Sequence, residues 1–210
     1  MISIRTLNEN AVSDMHYAAQ ATRGNAEYVP IRDIAKWIRN VIFAEHSIVD
    51  EARLRITDDA CRSDVVSHLV RHTKGYPRHY VESHRPDWTK KPRPSDPTTP
   101  RLYASTWPVT AFLAMGRQRL CKRAAKATRE WALTVKNLLL TGWYSKNDDD
   151  DEFHRALSLA MVPTCVYRGG CPEGKKTCGY WTRMQEEYAN ESLQERAKIY
   201  QRGAVEWNEN

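Results

Sequence analysis

The stretch SHLVRHTKGYPRHYVES, residues 67–83, gathers three histidines, two arginines, a lysine and a glutamate around one glycine and one proline. Residues 62–72 have the spacing of a helix, so His68, Arg71 and His72 fall at i, i+3 and i+4 on one face. Arginine offers a planar fork to phosphate, and histidine exchanges a proton near neutral pH. The face is therefore either an anion site or a polar helix end that the helix dipole favours.

The composition is that of a globular protein. The 210 residues are enough for one substantial domain, so we take residues 1–210 as a single domain. A mean hydropathy of -0.69 and the lack of a long apolar run argue against a membrane span. The first residues, MISIRTLNEN, do not resemble a secretory signal, and five cysteines, an odd number, suit a reducing compartment. We expect thiols and a cytoplasmic location, the host cytoplasm in the case of a viral protein.

Hydrophobic periodicity predicts both helices and strands. Residues 31–45 predict an amphipathic helix that begins near Pro30, and the alternation over residues 52–56 predicts a half-buried strand. Residues 108–140 predict one long helix. Its candidate core positions are Val109, Phe112, Leu113, Leu120, Ala124, Ala127, Trp131, Val135 and Leu138.

Two polar stretches predict loops. Residues 86–101 contain five prolines, which cannot donate to a helix or a central strand. Residues 147–153 carry clustered acids that repel one another, with a metal site as a minor alternative. Residues 181–200 are helix-compatible and are expected to cover an edge or a neighbouring subunit.

Residues 117–129 hold six arginines and lysines and no acid, a pattern that attracts phosphate. Composition alone leaves nucleic acid, a nucleotide and a phosphorylated cofactor open. No Walker loop and no GxGxxG sequence occurs, which argues against P-loop and Rossmann enzymes. The spacing of Cys165, Cys171 and Cys178 does not match a zinc ribbon, and His154 is a distant fourth ligand.

Four segments resemble the flavin-dependent thymidylate synthases, and a fifth does so more weakly. HLVRHTKGYPRHYVES is similar to the family's Arg-His-Arg signature, and EHSIVDEARLRI is similar to its upstream histidine segment, with His46 lying 25 residues before Arg71. VPTCVYRGGCPEGKKTCG resembles a cysteine-containing tail of many bacterial members, and AAQATRGN more weakly resembles an AARxS segment. RQRLCKRAAKATREWA is similar to the family helix RLCxRAQWEIR, matching at Arg119, Leu120, Cys121, Arg123, Ala124 and Arg129.

The resemblance implies an α+β fold in which long helices pack on a mixed or antiparallel sheet. It also implies a homotetramer with FAD between subunits. In that family NADPH reduces the flavin, and methylenetetrahydrofolate supplies one carbon to C5 of dUMP without an enzyme nucleophile. The cofactor carries the chemistry, so the protein binds, orients and stabilises charge.

The resemblance also assigns roles to individual residues of this sequence. The residues expected at the reacting groups are Arg71, His72 and Ser83. Those expected to hold FAD are Thr22, His46, Arg71, His72 and Thr73. Those expected to hold the nucleotide are His68, Arg78, Glu82, Ser83, Arg85 and Arg119.

The loop after the signature departs from the family. Thr73 replaces the third member of the Arg-His-Arg triplet, which removes a positive charge. Two registers for the following loop stay open, one using Arg78 with Tyr80 and one using Glu82, Ser83 and Arg85.

The rebuilt loop suggests dCMP as an alternative substrate, or a hydroxymethyl rather than a methyl product. The rival hypotheses are a protein that binds nucleic acid through residues 117–129 and a family relative that has lost activity. We expect nucleotide rather than nucleic acid as the partner.

Overall fold

Four antiparallel strands form one sheet, and helices cover one of its faces. The computed structural model describes residues 1–8, 10–24, 30–83, 85, 87, 96–141 and 148–203. The strand order is β1-β2-β4-β3. The strands are β1 Ile2–Thr6, β2 Arg53–Arg62, β3 Arg78–Val81 and β4 Pro100–Pro108.

Nine α-helices occur in the described part of the chain. They are α1 Ala11–Thr22, α2 Ile34–Phe43, α3 Ser63–Leu69, α4 Val109–Arg119, α5 Lys126–Thr141, α6 Asp148–Ala160, α7 Thr164–Arg168, α8 Tyr180–Tyr188 and α9 Leu193–Gly203. Short 3-10 helices span Ser47–Glu51 and Gly174–Lys176. None of the described helices has the length and apolar character needed to cross a bilayer.

The sheet has one apolar and one polar face because side chains alternate along its strands. In β2, Leu54 and Ile56 are fully buried while Arg53 is exposed, which confirms the strand predicted from this alternation. The inner face joins the main core through Trp107 and Tyr103 of β4. No helix among the described residues covers the opposite face, which presents the side chains of Arg53 and its neighbours to solvent. The fold class is α+β with an antiparallel sheet, as predicted.

The predicted helix over residues 31–45 exists but is shorter. It begins at Ile34 rather than at the proline, because the Asp33 carboxylate accepts a hydrogen bond from the Lys36 amide at 2.9 Å and caps the helix. Ile38 and Ile42 form its buried stripe. The helix then joins the main core beside the 3-10 helix.

The prediction of one long helix over residues 108–140 is wrong. A strand ends at Pro108, and two helices follow, separated by residues 120–125. The first, α4, packs on β4 and the first 3-10 helix, whereas α5 packs on α3, α6 and β1. Packing against different neighbours overrides a continuous helical pattern. Most of the predicted core positions are nevertheless buried or partly buried.

The acidic stretch predicted as a loop instead begins a helix. α6 starts at Asp148, and Asp151 and Glu152 pair with Arg155 one turn later. Phe153 and His154, which close the stretch and follow it, are buried. Of the proline-rich stretch, residues 88–95 lie outside the described residues, and its last residues form the start of β4.

The helices from α7 onward build a second apolar cluster. Its central residues are Val162, Cys165, Val166, Tyr180, Tyr188, Ala197 and Tyr200. The expectation of helical structure over residues 181–200 is met by two helices with a turn between them. The cluster contacts the main core where α9 packs on α6.

Candidate functional site

The signature histidines lie where α3 ends. The helix stops at Leu69 instead of continuing to His72, so the predicted shared helix face does not form. The His72 amide donates to the Leu69 carbonyl at 3.0 Å in a closing turn. This turn brings the His72 side chain inward while Arg71 remains exposed.

Arg119, the last residue of α4, joins these residues into one cluster. Its Nε donates to Nε2 of His72 at 2.8 Å, and its Nη2 donates to the His68 carbonyl at 2.7 Å. His68 in turn contacts the Thr128 hydroxyl through Nδ1 at 2.7 Å. The charge of Arg71 and burial both lower the pKa of Arg119, with burial as the larger cause. His68, Arg71 and His72, predicted together on one face, and Arg119, predicted from another segment, are therefore neighbours.

His72 is neutral in this cluster and accepts the Arg119 hydrogen bond through Nε2. Burial, then the charge of Arg119 and that of His79, lowers its pKa to about 4. Because Arg119 donates to Nε2, the single proton of the neutral ring resides on Nδ1. At neutral pH His72 therefore presents a fixed N–H and not a cation.

Motif comparison missed His79, which lies in β3. Its Nε2 approaches the His72 carbonyl at 3.2 Å, and its Nδ1 approaches the Tyr103 hydroxyl at 2.9 Å. Its ring also meets the edge of Trp107, with centroids 5.0 Å apart. Burial lowers its pKa. His79 thus fixes the backbone of the turn that carries His72 to the central strand β4.

The residues predicted to contact FAD from outside the signature segment, His46 and Thr22, lie in two places. Arg117, on the same last turn as Arg119, forms an ion pair with Glu45, the residue before His46. This pair ties the His46 segment to the end of α4, although the His46 side chain is exposed. Thr22 lies at the end of α1, where its hydroxyl donates to the Ala19 carbonyl at 2.9 Å.

The residues after His72 that were predicted to bind the nucleotide are not gathered around His72. Glu82 accepts a hydrogen bond from the Leu102 amide at 3.0 Å, and Ser83 accepts one from the Arg85 amide at 3.2 Å. Arg85 forms an ion pair with Asp87. Arg78 precedes His79 in β3 and therefore points to the opposite, open face of the sheet. Thr73 is exposed in the turn.

A cavity of about 330 Å³ adjoins Arg119 on the side of the cysteine-containing tail. Its lining includes Arg123, Trp181 and four cysteines, Cys121, Cys165, Cys171 and Cys178. All five cysteines of the chain are free thiols. Within the residues that the structure describes, no group of histidines, cysteines and acids is arranged to hold a metal ion. The cavity therefore offers two guanidinium groups and an indole ring to a ligand.

Comparison with known proteins was made by sequence and by structure. No protein-family profile and no curated protein matches the sequence. The structure is similar to thymidylate synthase X (ThyX) from Helicobacter pylori, crystallised with FAD and dUMP, with a TM-score of 0.57 at 9% identity over 75% of this chain and 99% of that one. The chain has the ThyX fold. It is also similar to PolB from Streptomyces cacaoi, a UMP/dUMP methylase bound with 5-Br dUMP, with a TM-score of 0.51 at 14% identity over 77% of this chain and 97% of that one. The thymidylate synthase-like fold predicted from the motifs is confirmed.

The residues present near His72 fit part of a flavin dinucleotide. Arg71 is exposed, and no ion pair joins it to another described residue. Arg119 and Arg123 line the adjoining cavity beside Trp181. Guanidinium groups suit phosphates, and an indole suits an aromatic ring system.

Proposed function

We propose that this chain is a flavin-dependent enzyme that transfers one carbon to C5 of a pyrimidine deoxynucleotide monophosphate. One observation carries the proposal. Arg119 and His72, which lie 47 residues apart in the sequence, hydrogen-bond to each other within a ThyX fold. Both residues belong to motifs that resemble the flavin-dependent thymidylate synthases, and the same contact network includes His68.

FAD would be held by Arg71, His72 and Thr73, with His46 and Thr22 contributing from their own segments, and Arg119 would hold the nucleotide beside it. When bound, FAD supplies the redox chemistry of one-carbon transfer. The chain's own part is electrostatic. Arg71 and Arg119 stabilise negative charge, and the neutral His72 offers its Nδ1 proton without delivering a full positive charge. Such preorganised donors stabilise charge that develops on a bound ring.

The default substrate is dUMP, with methylenetetrahydrofolate as carbon donor and NADPH as reductant. The altered loop favours dCMP or a hydroxymethyl product as the variation specific to this chain. Thr73 removes one cation beside the site, and Glu82 is bound to a strand amide. Ser83 and Arg85 make contacts within their own loop. A homotetramer in the cytoplasm belongs to the same proposal.

The rival use of residues 117–129 as a nucleic-acid grip is disfavoured. Four arginines of this patch are engaged by the chain itself. Arg117 pairs with Glu45, and Arg119 contacts His72. The other two, Arg123 and Arg129, donate to the carbonyls of Lys176 and Lys122. These contacts hold the four side chains at separate points of the fold, so the segment does not present a continuous row of cations to a phosphate backbone.

Flavin binding provides the test. Purified protein incubated with FAD and desalted should retain flavin absorbance, and titration of dUMP and of dCMP should quench flavin fluorescence. The variant Arg119→Ala should lose most of both signals, whereas Arg39→Ala, whose side chain pairs with Glu152 and not with the His72 cluster, should keep them. A colourless wild-type protein that quenches with neither nucleotide contradicts the proposal. A protein that binds flavin but turns over neither nucleotide identifies the inactive relative.

A further inference from the structure

The open face of the sheet carries a row of arginines across its strands. In the register of the sheet, Arg5 of β1 lies opposite Arg55 of β2, which lies opposite Thr106 of β4 and then Arg78 of β3. Arg53 is two residues before Arg55 and therefore points to the same face. The neighbouring outward positions, Ser3, Thr57, Ala104 and Tyr80, carry no charge at neutral pH, and Asp59, further along β2, pairs with the amino terminus of Met1.

The middle of this face is a trough. The outward residues of β4, Ala104 and Thr106, are small and form its floor. The walls are the long side chains of β2 on one side and of β3 on the other, two strand spacings or about 10 Å apart. The resulting cleft has a volume of about 360 Å³, which lies within the range of small-molecule sites. It is lined by Leu7, Arg53, Arg55, Arg78, Tyr80 and Thr106.

The cations of the cleft are not neutralised by the chain. Arg53, Arg55 and Arg78 form no ion pair with any described residue. The Nε atom of Arg55 is buried and has no hydrogen-bond partner among them. A buried donor left unpaired is costly, so a group that accepts its hydrogen bond is expected to bind there. Three adjacent guanidinium groups also repel one another, and an anion of high charge relieves that repulsion.

Tyr80 gives the cleft a second chemical character. It lies two residues after Arg78 on the same face, and its ring is half exposed. An exposed tyrosine beside guanidinium groups suits a base that stacks on the ring while phosphates reach the arginines. The arginines span more than one phosphate group, whereas the small cleft volume favours a single nucleotide over a nucleic-acid chain.

We propose that this cleft binds a nucleotide carrying a di- or triphosphate, with its phosphates on Arg53, Arg55 and Arg78 and its base against Tyr80. Arg78, expected from the sequence to serve the pyrimidine substrate, acts in this second site. The site is independent of the cluster around His72, because β3 turns Arg78 and His79 to opposite faces.

Calorimetric titration of the full chain with ATP, ADP, AMP and inorganic tripolyphosphate tests the site. ATP and ADP should bind at least tenfold more tightly than AMP. Arg55→Ala should weaken ATP binding at least tenfold, while Arg39→Ala, whose side chain pairs with Glu152, should leave it unchanged. Tyr80→Ala should weaken ATP binding but not tripolyphosphate binding, and Tyr80→Phe should restore it.

Three results would overturn the proposal. The first is equal affinity for AMP and ATP, since the three arginines then do not bind the additional phosphates of ATP. The second is unchanged ATP affinity in Arg55→Ala, checked as folded by circular dichroism. The third is a single-stranded oligonucleotide that binds through these arginines more tightly than ATP.

Discussion

Replacing Arg119 with alanine should raise the pKa of His72. The pKa of His72 is about 4 against 6.5 for an ordinary histidine, which makes its proton binding roughly 300-fold weaker. Burial is the largest cause and the charge of Arg119 the second. Removing Arg119 deletes the second cause and opens the ring to water, but Trp107 and His79 still cover it. We expect the pKa to rise by about one, a tenfold gain in proton affinity or about 1.4 kcal/mol.

The assay is a proton NMR titration of the histidine ring signals, with the His72 signal assigned from the variant His72→Gln. Arg123→Ala is the matched control, because Arg123 lies on the same basic segment and donates to the Lys176 carbonyl rather than to His72. Its His72 pKa should equal that of the wild type. If the His72 pKa in Arg119→Ala stays at the wild-type value, the contact between the two residues does not hold His72 neutral.

Three further predictions concern stability and reactivity. Burial lowers the pKa of His154 to about 4, so the free energy of unfolding should fall by about 3 kcal/mol as pH drops from 6.5 to 4, and His154→Gln should flatten that slope in urea titrations. Gly75→Ala should lower the free energy of unfolding by about 2 to 3 kcal/mol, because φ is +78° and a Cβ would lie 2.8 Å from an α4 side chain. Gly170→Ala, where a Cβ would meet open space, should change the free energy of unfolding little. A thiol reagent should reach Cys61 and Cys165 last, because burial raises the pKa of both, to about 12 for Cys165; faster reaction there than at the other three thiols would contradict the packing.

The sequence identified the members of the His72 cluster but not their arrangement. Motif similarity pointed to His68, Arg71, His72 and Arg119, which are neighbours in the structure. The proton state of His72 depends on which ring nitrogen meets Arg119, and that contact joins residues 47 positions apart. No local pattern encodes such a distance, because it follows from how the fold brings the end of α4 to the end of α3.

His79 could have been found from the sequence by treating RHYV, residues 78–81, as a strand. Alternation would then have placed Arg78 and Tyr80 on one face and His79 on the other, towards the core. The stretch is only four residues long and follows a proline, so its period is weak. The cleft lined by arginines could not be predicted for the same reason, because the pairing of β3 with β4 is set by the sheet and not by local preference.

The errors in helix prediction have a common physical origin. Residues 108–140 keep helical spacing throughout, yet the chain breaks because its two halves pack on different neighbours. The acidic run at residues 147–153 looked too charged to order, but the helix that begins at Asp148 buries Phe153 and His154 in the protein interior. Both outcomes depend on tertiary surroundings that periodicity does not contain.

Product analysis shows directly whether this chain transfers one carbon to C5 of a pyrimidine nucleotide. Purified protein should be incubated with dUMP or dCMP in the presence of FAD, NADPH and methylenetetrahydrofolate, and the nucleotides weighed by mass spectrometry. The account predicts a product that carries one added methyl or hydroxymethyl group at C5, formed only with flavin and lost in Arg119→Ala. Formation of dTMP alone would refute the altered substrate or product. Recovery of both nucleotides unchanged from flavin-loaded wild-type protein would contradict one-carbon transfer by this chain.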